Sequence, residues 1–384
     1  MTIEKWINNA KINVNTNSWF DINVVTNKTK HQYISKKRPI NKYLKCNKIQ
    51  IFPDATQKKI ILSWMNLFID MYNDTNYFLN NHIYDFKKKK IKKNKNEYLN
   101  FRKLRDNHIK NNKKLLCKNK INKHLLDEAI NHNVAKHKTS ITNYLDNNIN
   151  FFRLRNMKKI RRKKILIIES RLFSKSKNGF CTSVLKNIKS TSSLKDVKKT
   201  SILQYDKHTR KFILYVPVEN ESTNQINRSY KCGIDPGIRT FLTCYSKNKV
   251  IEIGNNCYDN LRKNYKQIDI VNKKYKEKNI RKKAYDKCIN RNYDKINNKI
   301  KDLHFKTSNY LCKLYDNITI GKLSTKRIIS NNNNLNKKSK RSVCSLSHFR
   351  FREILEYQCI KNNVKLKIVD ESYTTKTCSN CSTI

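Results

Sequence analysis

The run Lys231-Cys232-Gly233-Ile234-Asp235-Pro236-Gly237-Ile238-Arg239-Thr240 carries the most legible chemistry in this sequence. An apolar strand ends on a carboxylate, turns at once through Pro-Gly and resumes as Phe241-Leu242-Thr243-Cys244-Tyr245. That arrangement holds Asp235 at the rim of a buried sheet, where a carboxylate oxygen can ligate a divalent cation. The same residues also read as an ordinary Asp-Pro-Gly hairpin turn, since all three are common turn formers. A second candidate is Cys378-x-x-Cys381, the one C-x-x-C pair among 12 cysteines. A third is basic: Arg281, Lys282, Lys283 and Arg291 fall on the outer side of a helical pattern, where they suit a nucleic-acid backbone.

Composition narrows the partners. Lys and Arg number 84 against 29 Asp and Glu, a formal net charge of +55. Charge of that size opposes compaction unless a polyanion neutralises it. Phosphates recruit Lys and Arg through counterion release, so nucleic acid is the expected partner. An anionic membrane surface is the weaker alternative, because the charge runs through the whole chain and not along one amphipathic helix. Asn, Lys and Ile are in excess, as AT-rich coding DNA produces, but that bias does not account for so few acids. No apolar run approaches the ~20 residues of a membrane span, and the first residues lack a signal-peptide core. The remaining cysteines, Cys232, Cys244 and Cys359 among them, sit in apolar contexts and are expected as small buried thiols. The expectation is a soluble intracellular protein in a reducing compartment.

The elements that must position these residues follow from periodicity. Residues 1–41 are polar and aperiodic, expected as a loose basic extension. Residues 42–52 read as a strand stopped by Pro53, followed by a capping box from Asp54 to Gln57. A helix then carries Ile60, Trp64, Leu67, Phe68, Met71 and Tyr72. Lys87 to Lys95 is a lysine run, and 124–145 is a second helix. Residues 151–155, 165–168, 201–205 and 211–218 read as strands. Three short strands follow at 232–234, 240–245 and 250–253. A basic helical hairpin over 261–306 has Leu261, Tyr265, Ile268, Ile289, Tyr293, Ile296, Ile300 and Leu303 inward. Residues 317–323 read as a buried parallel strand and 328–343 as a mobile Asn/Ser/Lys-rich stretch. A helix over 346–361, with Phe349, Ile354, Leu355 and Cys359 or Ile360 inward, leads to a last strand at 364–371.

Three meander strands, a helical insertion, a strand, a helix and a strand is the order of an RNase H-like nuclease core. At Gly233-Ile234-Asp235-Pro236-Gly237-Ile238-Arg239-Thr240-Phe241 and Tyr373-Thr374-Thr375-Lys376-Thr377-Cys378-Ser379-Asn380-Cys381 the chain resembles the TnpB (OrfB) family of transposon-encoded, RNA-guided nucleases, with Fanzor-like eukaryotic and viral members nearest. Lys48 to Pro53, the Gln57 helix and His124-Leu125-Leu126-Asp127-Glu128-Ala129-Ile130 resemble the family's N-terminal half. The likeness extends over 42–384.

The resemblance implies a mixed α/β chain. Its first domain, 42–225, is β-barrel-like, with a helical insertion at about 54–146. An RNase H-like (RuvC) domain follows at 226–384, with a helical insertion at about 259–308 and a partial zinc ribbon from 376. It implies Asp235 as a catalytic Mg²⁺ or Mn²⁺ ligand and Cys378 and Cys381 as half of a Zn²⁺ site. Arg239 and Lys376, inside the two motifs, join the nucleic-acid-binding residues. DNA and a guide-type RNA are the implied partners, and a large DNA virus or a mobile element the implied source.

Two departures bear on activity. The family's acid at the end of the 317–321 strand is replaced by Gly321, and Glu371 stands where Fanzor-like members carry a substitute, so it is the implied second ligand. The second C-x-x-C and the third catalytic Asp of the family are absent from these 384 residues. The expectation is therefore a metal-dependent, RNA-guided DNA endonuclease, or a transposase in the family's usual description, impaired by truncation. A non-catalytic nucleic-acid-binding remnant is the other class.

Overall fold

The computed structural model describes residues 22–26, 42–85, 90–92, 95–110, 120–195, 197–221, 230–247, 249–329 and 336–369. The chain divides into two units, Leu44–Glu219, and Met1–Tyr43 with Asn220–Ile384. In chain order, β1 (Ile22–Thr26) belongs to the second of these. β2 (Lys42–Phe52) leads into α1 (Ala55–Ile83), followed by β3 (Tyr84–Asp85), β4 (Lys90–Ile91), α2 (Lys95–Tyr98), α3 (Phe101–Lys110) and α4 (Lys123–Leu145). Then come β5 (Lys163–Ile168), α5 (Thr182–Leu185), β6 (Lys189–Ser190), β7 (Ser201–Asp206) and β8 (Lys211–Glu221).

In the first unit, α1 begins where the sequence marks it. The Asp54 carboxylate accepts from the Gln57 backbone N–H at 2.8 Å, and the Gln57 side chain accepts from the Asp54 N–H at 3.0 Å. The spare amide of Gln57 donates to the carbonyls of Leu185 and Asn187, tying the cap to a distant loop. A five-stranded sheet in the order β5-β7-β8-β2-β6 packs against α1 and α4. Its core includes Ile51, Trp64, Phe68, Leu125, Leu166, Leu203 and Leu214. In the His124 to Ile130 segment, Asp127 is a buried anchor. It is 4% exposed, accepts from Arg105 Nε at 3.1 Å and lies 3.0 Å from His124 Nδ1.

Residues 151–155 correct the sequence reading. They join no strand; an asparagine ladder on α1 holds the segment instead. Asn73, Asn76 and Asn80 fall on one helix face. Asn73 exchanges two hydrogen bonds with the Met157 backbone (2.7 and 3.0 Å). Asn80 exchanges two with the Leu154 backbone (2.9 and 3.3 Å), and Asn76 donates to the Leu154 carbonyl at 2.9 Å. An alternating pattern shows an extended backbone but does not say what pairs with it; here side-chain amides satisfy peptide groups that a neighbouring strand otherwise would.

The second unit continues with β9 (Lys231–Pro236), β10 (Leu242–Ser246), β11 (Lys249–Ile253), α6 (Cys257–Lys276), α7 (Lys282–Leu314), β12 (Asn317–Gly321), α8 (Thr325–Ile329), α9 (Lys337–Leu346), α10 (His348–Lys361) and β13 (Lys365–Val369). These strands and β1 form a six-stranded sheet in the order β1-β11-β10-β9-β12-β13. β9, β10 and β11 make an antiparallel meander, and β12 and β13 run parallel to β9. Cys232, Ile234, Leu242, Cys244, Ile251, Ile253, Ile318 and Ile320 point to one face and are buried against α6, α7 and α10.

Three further corrections arise here. The stretch 1–41, expected to be a loose extension, contributes β1: Ile-Asn-Val-Val-Thr is β-branched and pairs antiparallel with β11, Ile22 opposite Ile253. The stretch 328–343, expected to be mobile, holds most of α9, capped by Asn336 Oδ1 accepting from Ser339 N at 2.8 Å and burying Val343 and Leu346. Helix registers shift as well. Tyr293 is exposed while Asn292 is buried, because Asn264 donates to the Asn292 side chain across the α6–α7 hairpin at 3.2 Å. Phe349 is exposed while Phe351 is buried.

Candidate active site

Asp235 lies in the last turn of β9's pleat. Ile234 and Pro236 point into the core, so period-2 alternation sends Asp235 to the opposite face with Gly233 and Lys231, all three exposed. Its cross-strand neighbour is Thr243, whose own neighbour on β11 is Glu252. On the other side β12 runs parallel to β9 with Ile320 beside Ile234, so the row of Asp235 continues into Gly321. Gly321 is in register with Val369 of β13.

The turn after Asp235 is held at several points. Gly237 N–H donates to the Phe241 carbonyl at 3.1 Å, and Phe241 N–H donates to the Gly254 carbonyl at 3.2 Å. Thr240 Oγ1 donates to Asn255 Oδ1 at 2.6 Å, and Asn255 Nδ2 donates to Glu252 at 3.0 Å. A Cβ at Gly237 would lie 2.5 Å from the Thr240 carbonyl oxygen, a backbone atom that cannot swing away. A Cβ at Gly233 would meet nothing within 4 Å. Gly237→Ala is therefore expected to destabilise the unit by about 1–3 kcal/mol, as overpacking does. Gly233→Ala should change stability by less than ~0.5 kcal/mol. Urea midpoints compare the two; equal effects would refute the tight-turn account.

Phe241, the last residue of the motif, anchors the turn to the helices. Its ring stacks on His304 (5.3 Å, 18° between planes) and on His348 (5.0 Å, 20°), and meets Phe351 edge-on at 5.0 Å. Both histidines are 1% exposed. Burial lowers each pKa to about 4. His304 Nε2 is 2.8 Å from the Leu346 carbonyl. The Gly237 backbone favours the charged form of His348, yet no well-formed hydrogen bond reaches either ring nitrogen among the described residues. Sequence reasoning missed this stack; the signal was a histidine at an inward helical position in two separate helices.

The basic residues divide into two places. Arg239 is exposed in the turn beside Asp235. Arg281, Lys282 and Lys283 are exposed at the start of α7, at the tip of the hairpin, and Arg291 is exposed about two and a half turns further along the helix. α6 has 20 residues, which at a rise of 1.5 Å each makes about 30 Å of helix between the Asp235 end of the sheet and that tip. No acid occupies the first turn of α7. Cations there oppose the helix dipole, a cost that bound phosphates would offset.

Among the described residues no group of three His, Cys, Asp or Glu side chains is placed to hold a metal. Asp235 alone is thus one ligand and not a site. Glu371, Lys376, Cys378 and Cys381, with the zinc-ribbon segment, lie outside the described residues. Cys232, Cys244 and Cys359 are buried thiols, as their contexts predict. No helix among the described residues is long and apolar enough to cross a membrane.

Comparison with known proteins agrees with this architecture. Residues 215–332 match the OrfB_IS605 family model, described as "Probable transposase", and residues 348–384 match the Cas12f1-like TNB domain. TnpB-like protein L79 of Acanthamoeba polyphaga mimivirus is 34% identical over all of this chain and 80% of its own length. TnpB-like protein R854 of the same virus is 34% identical over 79% of its length. The solved Cas12f1 complex with sgRNA and target DNA shares the mixed α/β fold, with a TM-score of 0.52 and 13% identity over 86% of this chain and 76% of that one. On identity that extends over the whole of its length, the chain belongs to the TnpB-like transposase family.

Proposed function

We propose that this protein is an RNA-guided DNA endonuclease whose cleavage centre forms at the ends of β9, β12 and β13. The carrying observation is Asp235, exposed at the end of the central strand of a sheet ordered β11-β10-β9-β12-β13, with β12 and β13 parallel to it. That order supports an RNase H-like (RuvC) reading of 226–384. In it, parallel strands deliver their C-terminal residues to one edge. The family membership and the RNA and DNA in the Cas12f1 complex support guide RNA and target DNA as partners.

Glu371 is the second carboxylate in this reading. In the sequence it follows two residues after Val369, the partner of Gly321. A divalent ion held by these carboxylates would polarise the phosphodiester and activate water. The chain's own part is to fix Asp235 against the tight turn at Gly237 and to bind backbone with Arg239 and the α7 cations. Cys378 and Cys381, within the segment that matches the TNB domain, would supply two thiolates to a structural zinc. In such systems base pairing reads the sequence while the protein grips backbone and a short flanking motif. The first unit, whose five strands form an open sheet among the described residues, is assigned that gripping role.

Binding is the first test. The logarithm of affinity for a long RNA should fall linearly and steeply with the logarithm of salt, because +55 spread over both units releases many counterions. RNA recovered with the purified protein should then direct Mg²⁺-dependent cleavage of a matching DNA. A flat salt response would overturn the binding account. Steep binding with no guide-dependent cleavage by the full-length protein would favour a nucleic-acid-binding remnant.

A further inference from the structure

We infer that the cavity between α1 and residues 151–156 is a seat for an unpaired nucleotide of a single-stranded nucleic acid. The cavity measures about 450 Å³, and its lining includes Tyr77, Asn80, Phe151, Arg153 and Arg155. That volume is within the range of small-ligand sites. The inference rests on the reading that the protein binds nucleic acid, and adds where an unstacked base is held.

Two aromatic rings on this wall are exposed. Tyr77 is 69% exposed and Phe151 52% exposed. Two exposed rings beside one cavity offer flat faces on which a base can stack. Phe151 keeps an edge contact with Tyr84 at 5.7 Å, which fixes its ring from behind. Phe151, Arg153 and Arg155 are exposed while Phe152 is buried, the alternation of an extended chain. Side chains two apart in such a chain are about 6.7 Å from one another, comparable to the step between successive phosphates of an extended strand.

The asparagine ladder explains why this segment can present its side chains without a sheet. Leu154 and Met157 have their peptide groups bonded by Asn73, Asn76 and Asn80. The arginines are thereby carried on a fixed rail, and little order has to be imposed when a ligand arrives. Every base has a π-face, so aromatic seats of this kind tolerate any sequence while the cations hold the backbone. A duplex hides its base faces in the stack and cannot use them.

The test compares labelled single-stranded 12-mers of RNA and of DNA with a duplex of equal length, by fluorescence anisotropy at fixed salt. Tyr77→Ala and Phe151→Leu should each weaken single-strand binding about tenfold, the scale of losing one stacked base. They should leave duplex binding within about twofold, which a stacking role requires. Tyr77→Phe should retain single-strand binding. Arg153→Gln with Arg155→Gln should reduce the salt slope by about two. An unchanged melting temperature excludes unfolding as the cause. A loss confined to RNA assigns the seat to RNA, and a loss confined to DNA assigns it to the DNA strand. Wild-type affinity in the aromatic variants, or equal loss on duplex, would overturn this inference alone. Failure of the parent protein to bind any of the three would instead overturn the functional reading beneath it.

Discussion

Asp235→Asn should reduce metal-dependent DNA cleavage by the full-length protein by about 10³-fold or more, the scale of removing a group that acts at the reacting atoms. Nucleic-acid affinity should remain within about twofold, since the substitution adds no bulk and leaves the α7 cations intact. Asparagine keeps the size and the turn but loses the anionic oxygen that a hard cation prefers. A Mn²⁺ titration gives an independent readout, with weaker binding expected in the variant. Glu371→Gln should behave in the same way. Gly321→Glu in that background should recover part of the cleavage, because Gly321 continues the row of Asp235 one strand, about 4.8 Å, away. Undiminished cleavage by Asp235→Asn would place the active site elsewhere.

The second large effect is acid instability. His304 and His348 have folded pKa values of about 4, against about 6.5 when unfolded. The unfolded chain therefore binds more protons between these values, and stability is lost as pH falls through that window. Each histidine contributes a slope of about 1.4 kcal/mol per pH unit. His137, fully buried on α4 with its pKa also lowered to about 4, should do the same for the first unit. Urea midpoints at pH 7 and pH 5 measure the loss. His348→Phe, which preserves a ring against Phe241, should roughly halve the second unit's dependence, leaving the share of His304. Equal midpoints at the two pH values would show that the rings are not neutral in the folded state.

Element order was legible because its signals are local. The capping box at Asp54, the Asp-Pro-Gly turn and the period of α6 each depend on residues a few positions apart. Long-range satisfaction was not legible. Residues 151–155 alternate like a strand, and nothing nearby says that their peptide groups meet Asn76 and Asn80. Tyr293 fits the helical period as well as its neighbour does, and the exchange is decided by Asn264 on another helix. At the candidate site, the exposed strand-end position of Asp235 was readable from its motif. The clamp of Phe241 between His304 and His348 was not, because it joins three separate elements.

The strand at Ile22–Thr26 has a consequence for handling the protein. While it is present, the hydrogen-bonding groups of β11 on that side are engaged. If the first 41 residues are trimmed as dispensable, the flank of Val250, Ile251 and Ile253 is left as an open template, and open templates recruit strands from other copies. A shortened version should therefore self-associate at concentrations where the intact chain does not, and a loss of yield on trimming would reflect mispairing at this edge rather than damage to the cleavage centre.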